Sequence, residues 1–136
     1  MIPLPTTVEF SEGKFQINPD TTIFASSNLS KIVGYFSTLL QNSIDYELGR
    51  AESENQKDAI CFKLNSNLSQ LNDEGYQLLI KPESIQITAF KSNGIFYGIQ
   101  TLRQLLPPEI ERKIPNKKVS INIPCIQIED YPRFKW

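Results

Sequence analysis

The side chains that could do chemistry are few and widely spaced. The 136 residues include no histidine and two cysteines, Cys61 and Cys125. Without histidine the chain lacks the usual general base, the imidazole metal ligand and the side chain that titrates near neutral pH. The cysteines stand far apart, each in an apolar run, which fits neither a zinc spacing nor a CxxC motif. We interpret them as buried free thiols, with a disulfide between neighbouring strands as the alternative.

Carboxylates occur side by side at Asp73-Glu74 and Glu129-Asp130. Neighbours on a strand point to opposite faces, so neither pair by itself converges on one substrate, and we interpret both as solvated charge. The chain carries no glycine-rich phosphate loop, HExxH or GxSxG motif. The triplets at Asn28 and Asn67 fit the N-glycosylation pattern, which is frequent by chance. The chemistry alone predicts a non-catalytic domain without a metal or a cofactor.

Composition narrows the class further. Lys and Arg total 14 and Asp and Glu total 15, a net charge of -1, which argues against nucleic acid as a partner. No run of 18 apolar residues is present, so we expect no membrane span. Met1 is followed by Ile2-Pro3-Leu4-Pro5 without a basic segment, so we expect no signal peptide in this chain. The length fits one domain and is too short for a (β/α)₈ barrel, which needs about 250 residues.

Alternating and continuous apolar runs predict the strands. Five segments carry these signals: a hairpin over Val8–Ile17 with Gly13 in its turn, a short strand over Thr21–Ala25, a buried strand over Ala59–Leu64, a hairpin of Tyr76–Ile80 with Ile85–Phe90, and a last strand from Val119 to Ile128 with a bulge or bend at Pro124. Strands joined by hairpins predict a mostly antiparallel sheet.

Two segments have helical periodicity. Residues 29–44 place their apolar side chains on one face, and a second helix runs from Asn93 to about Leu106. In the second helix Gly94 and Gly98 are four residues apart and share a face, which suggests a surface that something approaches closely. Phe96 and Tyr97 stand beside the apolar stripe, so we expect one side of this helix to contact a partner outside the chain. The predicted fold class is α+β, a mostly antiparallel sheet with two helices packed on one face.

The aromatic-rich end of the chain belongs to a wider resemblance. Three stretches together resemble the N-terminal, non-catalytic domain of family 20 glycoside hydrolases, the exo-β-N-acetylhexosaminidases: Ile2-Pro3-Leu4-Pro5 with Val8–Ile17, then Gly75–Leu78 continued by Ile85–Ala89 and Gly94–Pro107, and finally Ile126–Phe134. The Asp-Tyr-Pro-Arg-Phe segment that starts at Asp130 is the most specific of these, because in the family it leads into the first barrel strand.

The resemblance implies a single accessory domain over residues 1–136, with a catalytic (β/α)₈ barrel expected after residue 136. In the family two helices pack between sheet and barrel, which implies this barrel-contact surface: Gly94, Phe96, Tyr97, Gly98, Tyr131, Phe134 and Trp136. The catalytic Asp-Glu pair lies on the barrel and works with the substrate's own 2-acetamido group, without a cofactor. The parent would hydrolyse terminal β-linked N-acetylglucosamine or N-acetylgalactosamine from glycans, in the periplasm or on the cell surface, and this chain alone would be inactive.

Three alternatives stay open at this point. The first is that the chain is a carbohydrate-binding module, with Tyr46, Tyr131 and Trp136 as stacking platforms. The second is that it is the N-terminal domain of a related, family 84-type glycosidase. The third is that it is a stand-alone interaction or inhibitor domain, since one sheet with helices is a shape shared by many unrelated functions.

Overall fold

The computed structural model describes residues 7–41, 48–51, 57–69, 73–105 and 121–130. Within these residues seven strands form one sheet, and two helices pack on one of its faces. The elements are β1 Thr7–Ile17, β2 Thr22–Ala25, β3 Gly49–Arg50, β4 Ala59–Leu64, β5 Tyr76–Lys81, β6 Ser84–Ala89, β7 Ile121–Asp130, α1 Ser30–Gln41 after a 3₁₀ turn Ser27–Leu29, and α2 Ser92–Leu105. The α+β prediction is confirmed.

The strand order is β1-β7-β5-β6-β4-β2-β3. The first four strands in this order pair antiparallel, and the longest ladder joins β1 to β7, from Thr7 opposite Glu129 to Ile17 opposite Ile121. From β6 outward, β4, β2 and the two-residue β3 pair parallel. Parallel neighbours need a crossover connection, and α1 lies in the chain between β2 and β4. The mostly antiparallel sheet is therefore as predicted, whereas the parallel half is a feature that the sequence pattern did not reveal.

The hairpin of β5 and β6 is confirmed. Leu78 pairs with Ile87 and Ile80 with Ile85, and all four side chains are buried. Their sequence neighbours point to the other face and are half-buried. This hairpin supplies the centre of the core, because period-two patterning puts every second side chain beneath the helices.

The predicted hairpin over Val8–Ile17 is wrong. These residues belong to one strand, β1, which runs along β7 with a register shift between Phe10 and Lys14. Gly13 lies in this irregularity with φ of 98°, and a Cβ there would lie 3.7 Å from the Cys125 Sγ. The positive φ that suggested a turn therefore serves a bulge, which bends the strand without reversing it. The predicted irregularity of the last strand lies opposite, where Cys125 and Ile126 are consecutive and both buried.

The apolar stripes of both helices face the sheet. From α1, Val33, Phe36 and Leu40 are buried, and the Phe36 ring meets Phe62 of β4 edge-on at 5.4 Å. From α2, three buried side chains enter the same core: Ile95, Ile99 and Leu102. The last residues of the first predicted helix, 42–44, lie outside the described residues.

The two thiols are buried and unbonded to each other. Cys61 lies on β4 and Cys125 on β7, and β5 and β6 separate these strands in the sheet. Burial raises the pKa of the Cys125 thiol. Both observations agree with the interpretation as buried thiols that form no disulfide with each other. None of the helices in the described parts of the chain is long and apolar enough to cross a membrane.

Candidate functional site

The two glycines of helix α2 face the sheet. A Cβ on Gly94 would lie 2.0 Å from the Gly75 carbonyl oxygen and 2.7 Å from the Ala89 Cβ. A Cβ on Gly98 would lie 2.6 Å from the Ile87 Cγ2. The close approach that the spacing of these glycines suggested is thus an approach to the domain's own sheet. The expectation that Gly94 and Gly98 belong to an outward contact surface is corrected, because both lie on the inner, buried side of α2.

The outer side of the helix pair carries a cluster of aromatic rings. Phe96 and Tyr97 of α2 are 38% and 43% exposed, and Tyr35 of α1 is 37% exposed. The Phe96 ring centroid lies 5.3 Å from that of Tyr35 and 5.8 Å from that of Tyr97. The Gln100 side chain donates a hydrogen bond from Nε2 to the Tyr35 hydroxyl at 2.7 Å. We call Tyr35, Phe96 and Tyr97 the aromatic patch.

The aromatic patch brings together residues from two helices that are far apart in the chain. The sequence pattern indicated Phe96 and Tyr97, and their exposure agrees with the expected outward side of α2. It missed Tyr35, which lies outside the apolar stripe of α1. The available signal was a tyrosine on the side of the helix that also carries Lys31 and Thr38, where a ring has no place in the core. Contiguous exposed apolar surface of this kind is typical of a protein contact site.

The other predicted contact residues cannot be placed. Tyr131, Phe134 and Trp136 lie outside the described residues, and so does Tyr46, which the binding-module alternative invoked. The described part of the predicted surface therefore consists of Phe96 and Tyr97, to which the structure adds Tyr35.

A partly buried hydrogen bond joins α2 to the sheet. The Tyr76 hydroxyl of β5 and the Thr101 Oγ1 of α2 are 2.5 Å apart, and Tyr76 is 4% exposed. Burial raises the pKa of Tyr76, the Asp130 carboxylate acts in the same direction, and the hydrogen bond to Thr101 opposes them. The bond satisfies a buried hydroxyl and sets where α2 lies along the sheet, and thereby where Phe96 and Tyr97 face solvent.

Residues 1–131 match the family model of glycosyl hydrolase family 20, domain 2. The chain belongs to this family. A curated relative, the β-hexosaminidase of Porphyromonas gingivalis, is 33% identical over 98% of this chain and 17% of its own length. A second, β-hexosaminidase subunit A2 of Dictyostelium discoideum, is 24% identical over 95% of this chain and 22% of its own length. The family 20 assignment sets aside the family 84-type alternative.

Solved structures of family 20 enzymes share the fold. The β-N-acetylhexosaminidase of Streptomyces coelicolor matches with a TM-score of 0.85 and 31% identity, over 97% of this chain and 26% of that one. That of Streptomyces plicatus matches with a TM-score of 0.85 and 32% identity, over 100% and 27%. This family 20 domain thus spans about a fifth of the curated relatives and about a quarter of these solved chains.

The face of the family 20 domain that points away from the helices is polar. A depression of about 200 Å³ lies on this face, and its lining includes Gln77, Leu79, Gln86, Thr88, Gln127 and Glu129. The Gln77 Nε2 donates to the Glu129 Oε2 at 2.7 Å. The described residues include no cluster of three or more metal-ligating side chains. We call these six residues the amide face.

Proposed function

We propose that this domain is an accessory domain of a β-N-acetylhexosaminidase, and that its aromatic patch packs against the catalytic domain of the same polypeptide. The observation that carries the proposal is the patch itself. Three rings, each more than a third exposed, form one surface on the outer side of the helix pair. Covering a solvent-exposed group of large apolar side chains with a partner is favourable, because it removes apolar surface from water.

The geometry of the rings favours a protein partner over a sugar. The planes of Tyr35 and Phe96 are inclined by 43°, and those of Phe96 and Tyr97 by 77°. A sugar ring stacks on a flat face, whereas these three rings share no plane. They form a ridged surface, into which side chains of a neighbouring domain can pack as helices pack ridges into grooves.

We infer the activity of the whole protein from the family. The relatives named above are β-hexosaminidases, and the matched region is a minor part of each. We therefore place a catalytic (β/α)₈ barrel after this domain in its polypeptide. We assign to that barrel the hydrolysis of terminal β-linked N-acetylglucosamine or N-acetylgalactosamine, with the glycan as substrate of the parent. We further propose that the parent works in the periplasm or at the cell surface.

Two measurements test the proposal. The purified 136-residue chain should not release chromophore from a chromogenic β-N-acetylglucosaminide, because we place the catalytic pair on the barrel. In the full-length polypeptide, the double variant Phe96→Ser/Tyr97→Ser should lower the thermal midpoint of the catalytic domain and speed its proteolysis. In the isolated chain the same variant should keep the fold, since neither ring belongs to the buried core cluster.

A matched control separates docking from a general effect of removing exposed rings. Phe10 on the edge strand β1 is 73% exposed and belongs to a different element from the aromatic patch. Phe10→Ser should leave the full-length protein as stable as the unchanged protein. Turnover by the isolated chain, or a full-length double variant with unchanged stability, would refute the proposal.

A further inference from the structure

The amide face is an ordered grid of side chains on three adjacent strands. Across β6, β5 and β7, Thr88, Gln77 and Glu129 form one row. Gln86, Leu79 and Gln127 form a second row, two residues further along each strand. Rows of this kind are about 7 Å apart and the strands within a row about 4.8 Å apart. Five polar side chains thus surround one leucine at fixed spacing.

Most side chains of the grid can both donate and accept hydrogen bonds. A glutamine amide both donates and accepts hydrogen bonds, and so does the Thr88 hydroxyl. Glu129 carries the one charge among the six residues, and its carboxylate already accepts a hydrogen bond from Gln77. Next to the grid, Lys63 of β4 pairs with Thr88 in the first row and Glu9 of β1 pairs with Gln127 in the second, so the flanking charges are of both signs. The side-chain amides of Gln86 and Gln127 make no hydrogen bond to the described residues, so they are available to a ligand. Such a surface concentrates no group of positive charges on which a phosphate could bind, and it is complementary to an uncharged ligand rich in hydroxyl and amide groups.

The backbone of the grid excludes a peptide strand as the ligand. Strand β5 is paired on both sides, with β6 and with β7, so no free edge is present at which a further strand could add. The side chains, not the main chain, must therefore hold whatever binds. Leu79 between Gln86 and Gln127 supplies an apolar floor suited to the C–H face of a sugar ring.

We propose that the amide face binds a neutral glycan containing β-linked N-acetylhexosamine, on the side of the domain opposite the aromatic patch. Acetamido and hydroxyl groups of the sugar would exchange hydrogen bonds with Gln86, Gln127 and Thr88, over Leu79. A depression of about 200 Å³ is smaller than pockets that enclose a drug-sized ligand, roughly 300–1,000 Å³. It fits one sugar ring, with the rest of the glycan lying across the open sheet. The choice of sugar rests on the proposed function; the position of the site does not.

The experiment is an NMR titration of the ¹⁵N-labelled 136-residue chain with triacetylchitotriose. We expect saturable shifts at millimolar ligand, confined to amides of β5, β6 and β7. The double variant Gln86→Ala/Gln127→Ala should lower the affinity roughly tenfold, since it removes two hydrogen-bonding groups. The matched control Gln16→Ala, an exposed glutamine on β1, should leave it unchanged. Cellotriose, which lacks acetamido groups, should bind more weakly.

Several results would overturn the proposal. These are the absence of saturable shifts, shifts centred on the aromatic patch, or equal affinity in the double variant. Equal binding of cellotriose would overturn the assignment to N-acetylhexosamine. The outcome is independent of domain docking, because Phe96→Ser/Tyr97→Ser changes the opposite side and should leave the titration as it is. A failure of docking in the full-length protein and a failure of glycan binding in the isolated chain are thus separate results.

Discussion

Replacing Gly94 with alanine tests the argument that α2 is seated by direct contact with the backbone of the sheet. The new Cβ would lie 2.0 Å from the Gly75 carbonyl oxygen, whereas real Cβ contacts do not fall below 3.0 Å. The helix and the Gly75 segment must therefore separate by about 1 Å. Both are main chain, and the Ala89 Cβ at 2.7 Å blocks the same path, so no side-chain rotation relieves the clash.

The magnitude follows from two opposing effects. Overpacking a well-packed core costs about 1–3 kcal/mol, and a contact between two backbones belongs at the upper end. Alanine in place of glycine inside a helix contributes about 1 kcal/mol in the other direction. We expect Gly94→Ala to lower the free energy of unfolding by about 2 kcal/mol, which corresponds to a loss of about 8 °C in the thermal midpoint.

Gly34→Ala is the matched control, since Gly34 lies inside α1 and a Cβ there meets nothing within 4 Å. This variant should show the helix-propensity gain alone and raise the free energy of unfolding by about 1 kcal/mol. Urea denaturation of the two variants and the unchanged chain gives both values. If Gly94→Ala is as stable as the unchanged chain or more so, the assignment of α2 to this close contact is incorrect.

Three further predictions concern buried polar groups. Thr101→Val leaves the Tyr76 hydroxyl without its partner and should lower the free energy of unfolding by about 1–3 kcal/mol, as measured by urea denaturation. Tyr76→Phe in the same background should recover part of this loss. An unchanged free energy of unfolding in Thr101→Val would contradict the role of this bond. Burial raises the folded-state pKa of Tyr76 above its ordinary value of 10.0, so the free energy of unfolding should fall as pH rises above about 10. This fall should be smaller in Tyr76→Phe. Identical dependence of stability on alkaline pH in the two proteins would count against the raised pKa. Thr21 is fully buried and donates to the Asp58 carboxylate at 2.9 Å, so Thr21→Val, which removes the hydroxyl, should destabilise by about 1–3 kcal/mol. Thr21→Ser removes the methyl group, keeps the hydroxyl and should be milder; a larger loss in Thr21→Ser than in Thr21→Val would show that the methyl group matters more than the bond.

The candidate contact surface was half visible in the sequence. Phe96 and Tyr97 sit beside the apolar stripe of α2, and helical periodicity alone puts them partly outside the core. Tyr35 belongs to another helix, and no local rule connects it to Phe96. Gly94 and Gly98 show the converse, because the spacing predicted a close approach but could not tell which surface approaches. Only packing decides whether a glycine face meets the sheet or a partner.

The amide face, too, could be predicted only in part from the sequence. Alternation in Gln86-Ile87-Thr88 predicts a polar side for β6, and Gln77 places a polar residue on the corresponding side of β5, which also carries the apolar Leu79. That these polar sides join those of Gln127 and Glu129 in two rows depends on β7, which follows far later in the chain and inserts between β1 and β5.

Three motif stretches carried the resemblance to family 20, and the sequence by itself determined the local elements: two amphipathic helices and the β5–β6 hairpin. These follow from periodicity and turn chemistry, which act between residues close together in the chain. The tertiary structure decided the rest. The pairing of β1 with β7 turned an expected hairpin into one bulged strand, because the free energy of a ladder depends on a partner that the local pattern does not contain. The parallel half of the sheet, the inward glycines and the aromatic patch likewise come from contacts between distant segments.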